Sequence, residues 1–265
     1  MKDWRRYDAV ANEYERVRAP MTRTLAADLV ALASPAPDAR VLDVGTGTGV
    51  AAEAAGSVTN DGVVAGVDRS PPMLVVGKTA RPSLRLAAAE AIQLPFRDGS
   101  FDVVIANLVL PEFKRYDTAL FDLIRVLRTG GTFAASAWRA DEDELSKTWR
   151  ALVEETVGPD LVRSAVRDAT PWAERFGDPI RFRDTLHEAG LRQINVERRS
   201  YRFVLTRDDY VIEQATRALG RFVRGMLGEA SWASFLDRGR RVFAERFGST
   251  IEDTREAILA VGINP

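Results

Sequence analysis

Short, almost wholly apolar runs divide the first half of the chain. Val41 to Val44, Gly62 to Asp68 and Phe101 to Leu110 are rich in β-branched residues, and each carries an acid or amide near its end. Such runs predict strands of a parallel sheet covered by helices on both faces. Between them the period lengthens. Ala51 to Ala55 favours helix, Ser70-Pro71-Pro72 reads as an N-cap followed by proline in a first turn, and Leu120 to Leu127 repeats apolar residues at helical spacing. Leu84 to Ala91 reads as a third strand. Arg128-Thr129-Gly130-Gly131 reads as a C-cap turn leading into a fifth strand from Thr132 to Trp138. The alternation predicts a doubly wound α/β fold.

Beyond Trp138 the pattern changes. Ala140 to Asp178 is charged and mostly of helical period, and a compact helix from Phe182 to Glu188 closes at Gly190. We read a helical insertion, about 139–180, between the fifth strand and the last helix of the sheet. Leu191 to Glu197 and Tyr201 to Thr206 alternate apolar and polar residues about Arg198-Arg199-Ser200, as an antiparallel pair would, which makes seven strands, mostly parallel. Asp208 to Asn264 reads as amphipathic helix. The expected organisation is a ligand-binding domain over 1–206 and a C-terminal helical appendage over 207–265. The arginines of that appendage, Arg217, Arg221, Arg224, Arg238, Arg240 and Arg241, are interleaved with Glu213, Glu229, Asp237 and Glu245, which reads as solvated helix faces rather than a basic docking surface.

Composition narrows the partners. With 46% hydrophobic and 28% charged residues among 265, the chain is that of an ordinary globular protein. A net charge of −1 offers no field to recruit nucleic acid. The absence of cysteine excludes disulfides and thiolate metal sites, and a single histidine, His187, leaves little scope for a histidine metal centre. Met1 to Arg18 is charged and aromatic where a secretory signal needs an apolar core, and no apolar run is long enough to span a bilayer. The expectation is a cytoplasmic protein with no metal and no membrane segment.

The chemistry gathers where the first strand ends. Val41-Leu42-Asp43-Val44-Gly45-Thr46-Gly47-Thr48-Gly49 runs from strand into a turn with glycine at alternate positions, which lets the backbone approach a nucleotide-like ligand. Dinucleotide-binding turns follow G-x-G-x-x-G, whereas Gly49 comes one residue early. Asp43 is ill suited to an anionic pyrophosphate and better suited to a ligand bearing an ammonium group. About twenty residues beyond the turn, Asp68 ends the second strand, where a carboxylate accepts from both hydroxyls of a ribose. Arg69 follows it, and Met73 is placed over the same pocket.

The nine residues from Val41 to Gly49 resemble the first motif of the class I S-adenosylmethionine (AdoMet) dependent methyltransferases, V/I-L-D-V/I-G-x-G-x-G. A more specific match is Leu94-Pro95-Phe96-Arg97-Asp98-Gly99-Ser100-Phe101-Asp102, similar to the L-P-F-x-D-x-S-F-D stretch of the same group. Arg125 to Phe133 is similar to a third stretch, with Thr129 where the group has proline. Tyr7-Asp8-Ala9-Val10-Ala11-Asn12-Glu13-Tyr14-Glu15-Arg16-Val17-Arg18 resembles the Y-D-x-x-A-x-x-Y-x-x-x-R lead-in of its ubiquinone-biosynthesis-like and small-molecule members.

That resemblance implies AdoMet as cofactor and a small-molecule methyl acceptor. It implies that Asp43 organises the turn and accepts from the methionine ammonium, that Gly45, Thr46, Gly47 and Gly49 give backbone approach, and that Asp68 holds the ribose. Glu90, standing for the group's usual Asp, faces the adenine with Ala91. Asn107 and Leu108 enter the pocket from the fourth strand, and Tyr14 and Arg18 fold over the sulfonium and the methionine carboxylate. Asp98 and Asp102 read as turn and strand-start residues.

Methyl transfer is mostly positioning and exclusion of water, so a catalytic residue is hard to read. Many relatives carry histidine after the fourth strand, where this chain has Leu110-Pro111-Glu112-Phe113. Glu112 is the candidate general base. Trp138, Trp149 and Trp172 are placed where an aromatic acceptor pocket is expected. An AdoMet-binding protein without catalysis is the alternative kept open by the missing histidine. A nicotinamide-dependent oxidoreductase is disfavoured by the glycine spacing and the lack of a Tyr-x-x-x-Lys pair.

Overall fold

The computed structural model describes residues 3–139 and 142–265. Met1 and Lys2 of the expected ligand-binding unit, and Ala140 and Asp141 of the expected insertion, lie outside the described residues.

A 3-10 turn (Asp8–Val10), a short helix α1 (Ala11–Glu13) and a π-helical turn (Tyr14–Arg18) lead into α2 (Ala19–Ala33). The half expected to bind a nucleotide-like ligand follows as β1 (Arg40–Val44), α3 (Val50–Gly56), β2 (Val63–Asp68), α4 (Pro71–Ala80), β3 (Arg85–Ala88) and β4 (Phe101–Asn107). A 3-10 turn (Leu110–Glu112) precedes α5 (Tyr116–Arg125) and β5 (Leu127–Trp138). Then come α6 (Glu144–Val157), α7 (Pro159–Ala169), α8 (Ala173–Phe176), α9 (Pro179–Glu188), β6 (Arg192–Thr206), α10 (Arg207–Thr216), α11 (Ala218–Arg246) and β7 (Thr250–Ile263).

The seven strands form one sheet in the order β3-β2-β1-β4-β5-β7-β6. Strands β1 to β5 are parallel, and β7 runs antiparallel to both of its neighbours. The expected seven-stranded, mostly parallel architecture with a helical insertion after β5 is therefore present. Neighbouring positions of β1 serve opposite sides of the sheet, as the strand period requires. Leu42 packs with Val104, Leu120 and Leu186 on one face, and Val41 packs with Ile105, Leu25 and Leu29 on the other. A third core, with Leu145, Trp149, Val211, Val223 and Phe243, joins α6 and α7 to α10 and α11, so the two helical insertions pack on each other.

Three expectations are corrected. The proposed terminal pair, Leu191 to Glu197 and Tyr201 to Thr206, is a single 15-residue strand, β6, with no turn at Arg198-Arg199-Ser200. Its partner comes from the stretch read as helix: Asp208 to Asn264 is helical only as far as Arg246, and Thr250 to Ile263 is β7, hydrogen-bonded between β5 and β6. The 207–265 segment is thus an insertion followed by a central strand, not an appendage of helices. Its Ala257-Ile258-Leu259-Ala260 core is buried because a strand between two others is covered on both faces. The stretch read as a C-cap turn at Arg128 to Gly131 is the start of β5, since α5 already ends at Arg125. Among the described residues no helix is long and apolar enough to cross a membrane.

Candidate functional site

Strand order reverses between β1 and β4, and at such a switch point the carboxyl ends of parallel strands open a crevice. The β1–α3 turn forms its floor. Gly45 and Thr46 donate their N–H groups to Val67 O at 2.8 and 3.0 Å, which ties the turn to β2. Gly47 N–H donates to Asp68 Oδ2 at 2.9 Å, and Ser70 N–H donates to Asp68 Oδ1 at 2.8 Å. Gly45 and Gly47 have φ of +71° and +57°, the left-handed region that glycine adopts without steric cost. A Cβ on Gly47 would stand 3.4 Å from Met73 Cε and 3.9 Å from Tyr14 Oη, so its backbone faces open room between them.

Asp43 lies beneath the turn. Its Oδ2 accepts from Thr46 Oγ1 at 2.6 Å and from Ala52 N at 3.0 Å, binding strand, turn and helix start together. Its Oδ1 is buried without a hydrogen-bond partner among the described residues. Burial pushes the carboxyl up to about 6, against the pull of those two donors. Burial also raises Asp68 above its ordinary value, opposed by the Ser70 and Gly47 N–H groups.

The cavity has a volume of about 320 Å³, the size of small-ligand sites. Gly45, Gly47 and Asp68 line it from below, Arg69 and Met73 from the start of α4, and Glu90 and Ala91 from the loop after β3. Asn107, Leu108 and Glu112 line it from the end of β4, and Tyr14 and Arg18 from the N-terminal segment. Leu108 has φ of +60°, a strained value for a residue with a side chain, and its N–H donates to Ser136 O at 3.2 Å and Ser136 Oγ at 3.0 Å. Such strain persists where the surroundings over-determine it, which is common at ligand sites. Asn107 Oδ1 accepts from Ser136 Oγ at 2.7 Å, so its side chain is tethered to β5. Three residues expected at the ligand, Asp43, Thr46 and Gly49, do not line the cavity, because they hold the turn from behind.

The N-terminal segment covers the cavity. Here the helix widens to a π-turn, a local form often found at functional sites. The rings of Tyr7 and Tyr14 meet edge to face at 5.6 Å, and the Arg18 guanidinium lies 6.0 and 5.6 Å from their centroids. Arg18 Nη1 is buried without a hydrogen-bond partner among the described residues. Tyr7 Oη donates to Glu112 Oε1 at 2.7 Å, and burial raises both tyrosine phenols. Tyr7 was not among the residues expected at the site, although it opens the same spaced stretch as Tyr14 and Arg18. Phe113, Lys114 and Arg115 at the rim were also missed.

The expected tryptophan wall is corrected, since none of the three lines the cavity. Trp138 packs 6.2 Å from the rings of Tyr201 and Phe203 because β7 and β6 extend the sheet beside it. Trp149 is buried against Phe235 in the core shared by the insertions, and Trp172 lies edge-on to Tyr116. His187 is exposed on α9, away from the cavity.

A family model described as a methyltransferase domain matches residues 42–135. A demethylmenaquinone methyltransferase of Beutenbergia cavernae is 31% identical over 172 residues, 60% of this chain and 68% of that protein. One from Roseiflexus castenholzii is 29% identical over 70% of this chain and 83% of its own length. Among solved structures, phosphoethanolamine N-methyltransferase 2 of Haemonchus contortus, in complex with phosphomonomethylethanolamine and S-adenosylhomocysteine, superposes with a TM-score of 0.60 at 17% identity, covering all of this chain and 61% of that one. A SAM-dependent methyltransferase of Thermotoga maritima gives 0.56 at 18% identity, covering 98% of both chains. The two structures speak to the fold.

Proposed function

We infer, for a chain that belongs to the class I AdoMet-dependent methyltransferases, that the acceptor is a small hydroxylated aromatic molecule and that Glu112 takes its proton. The cofactor is S-adenosylmethionine. The residues of the cavity fit it. Arg18 Nη1 is a buried donor without a partner, suited to the methionyl carboxylate, and Asp68 keeps lone pairs for the ribose hydroxyls after accepting one N–H on each oxygen. Asp43 places negative potential behind the turn, toward the ammonium, while Glu90 and Ala91 stand at the adenine end. Bound there, the cofactor supplies an electrophilic methyl group on a sulfonium.

The chain's own part is to position, to dry and to hold a proton. Tyr7 and Tyr14 cover the cavity and keep water from the reacting atoms. Glu112 lines the same cavity, so a hydroxyl lying against it can pass its proton to the carboxylate. Tyr7 fixes the rotamer of that carboxylate through its hydrogen bond. Phe113 and Ile92 give the mouth apolar surface for a flat ring. The names of the relatives, demethylmenaquinone methyltransferases, support an aromatic acceptor.

The observation that carries the reading is that Arg18, Asp68 and Glu112 line one cavity at the switch point of the sheet. The test is calorimetric titration with AdoMet and with NAD(P)H, followed by transfer of labelled methyl to a panel of naphthoquinols, phenols, thioesters and amines. AdoMet binding with turnover of a quinol or phenol is expected. AdoMet binding without any turnover would favour a binding protein, and turnover of amines alone would reassign the acceptor.

A further inference from the structure

Behind Arg18 the buried charges do not balance. Glu213, on α10, is fully buried, and its oxygens accept from Arg217 Nε at 2.9 and 3.1 Å and from the Arg255 guanidinium at 3.2 Å each. Arg18 Nε stands 4.0 Å from Glu213 Oε1. The remaining acid of the cluster is Asp253, which pairs with Arg255. Three guanidinia around two carboxylates leave one positive charge without an ion-pair partner, since Glu112 acts on Arg18 only across the cavity. Arg221, also buried, adds a second: its Nη1 donates to Thr216 O at 2.6 Å, its face lies 3.7 Å over the Tyr7 ring, and no carboxylate is within ion-pair distance of it among the described residues.

A buried charge is tolerated only when it is paired. Arg18 is the member of this cluster that lines the cavity, and its Nη1 is buried without a partner, as is Nε of Arg221, which does not line the cavity. The cluster is therefore one anion short on the side where ligand enters. Burial pushes the Glu213 carboxyl up, but Arg217, Arg255 and Arg18 outweigh burial and hold it below its ordinary value, so it stays charged. With Arg217 at the extended break between α10 and α11 and Arg255 on β7 fixing its other contacts, Glu213 presents a rigid Oε1 to Arg18.

We propose that Glu213 is a positioning residue for the cofactor: from the helical insertion between β6 and β7 it orients the Arg18 guanidinium so that Nη1 meets the methionyl carboxylate. The proposal rests on the reading that Arg18 meets that carboxylate. Glu213 belongs to none of the motifs that mark the nucleotide-binding half, and it reaches the site only through Arg18.

The test compares AdoMet with decarboxylated AdoMet by calorimetry, since the two differ only in the carboxylate. Glu213→Gln is expected to weaken AdoMet about tenfold, the scale of one impaired charge-assisted hydrogen bond, and to leave decarboxylated AdoMet within about twofold. Equal losses for both ligands would make Glu213 a structural residue only and overturn the proposal, as would no loss for either. Arg18→Ala separates the two levels of the argument. If it fails to discriminate the ligands, the reading of Arg18 falls and takes the proposal with it; if it discriminates while Glu213→Gln does not, the proposal alone falls. Should the glutamine variant not fold, Glu213→Asp keeps the charge but withdraws it from Arg18, and the same selective loss is expected.

Discussion

Tyr7 and Glu112, 105 residues apart, meet in a 2.7 Å hydrogen bond that closes the N-terminal segment over the end of β4. The phenol donates and the carboxylate accepts, so the second oxygen of Glu112 is left for the acceptor. Glu112→Gln is expected to lower kcat by about 10²- to 10⁴-fold, the range of a lost general base, with AdoMet affinity nearly unchanged. Tyr7→Phe should give a smaller loss, about tenfold, through disorder of the carboxylate. Steady-state kinetics beside calorimetry check both; an unchanged kcat in Glu112→Gln would move the proton to solvent.

Asp68 joins two elements and a ligand. It accepts from the glycine turn and from the start of α4, so Asp68→Ala removes a ribose acceptor and loosens the turn that shapes the floor. AdoMet affinity is expected to fall about 100-fold, as two charge-assisted bonds of roughly 1.5 kcal/mol each would give. Calorimetry on the folded variant decides it.

Gly45 and Gly47 differ in what surrounds them. Alanine at either position meets a left-handed backbone, a strain of about 1 kcal/mol. At Gly45 the added Cβ would also stand 2.5 Å from Val109 Cγ2, whereas at Gly47 its nearest neighbour is 3.4 Å away. Urea denaturation should therefore show Gly45→Ala losing more stability than Gly47→Ala, while Gly47→Ala loses AdoMet affinity because its methyl group enters the cavity.

Asp43 gives a pH dependence of definite sign. It titrates at about 6 when folded, against 3.8 in an ordinary setting. Below 3.8 both folded and unfolded forms carry the proton and the residue contributes nothing. Between 3.8 and 6 the folded form binds a proton that the unfolded form has released, so stability declines as pH rises, by on the order of 3 kcal/mol in all. Asp43→Asn has no charge to bury and should gain on the natural protein across that window. A difference in unfolding free energy that is flat from pH 4 to 7 would show that Asp43 ionises normally.

The nucleotide-binding half was legible because its signals are local. A strand, its glycine turn and the acid two residues before the turn are all read within nine residues, and Asp68 follows from the end of the next apolar run. The C-terminal half was not, because its signals depend on neighbours. Thr250 to Ile263 opens with Glu252, Asp253, Arg255 and Glu256, charges that hide the β-branched Ile258, Val261 and Ile263 behind them, and β5 and β6 offer it two edges that no local signal announces. Glu213 shows the same limit at the site. In sequence it is one acid among arginines, and its burial beneath Arg18 arises from contacts with Arg217 and with Arg255 on a strand 42 residues away. The three tryptophans failed for the converse reason. Trp138 does end β5, but the sheet extension took up its ring, while Trp149 and Trp172, both in the insertion, went to the core between the insertions and to Tyr116.

The position of β7 also sets an order of events during synthesis. β7 follows both of its neighbours in the chain and fits between them, so β6 has no place in the sheet until residues 250–263 have left the ribosome. Until then the backbone edge of β5 is unpaired and Glu213 lacks Arg255. A nascent chain can complete the glycine turn and the ends of β1, β2 and β4 early, yet the charge cluster behind Arg18 forms only once β7 has joined the sheet. With Glu213 in its proposed role, full cofactor affinity waits for β7 to dock between β5 and β6.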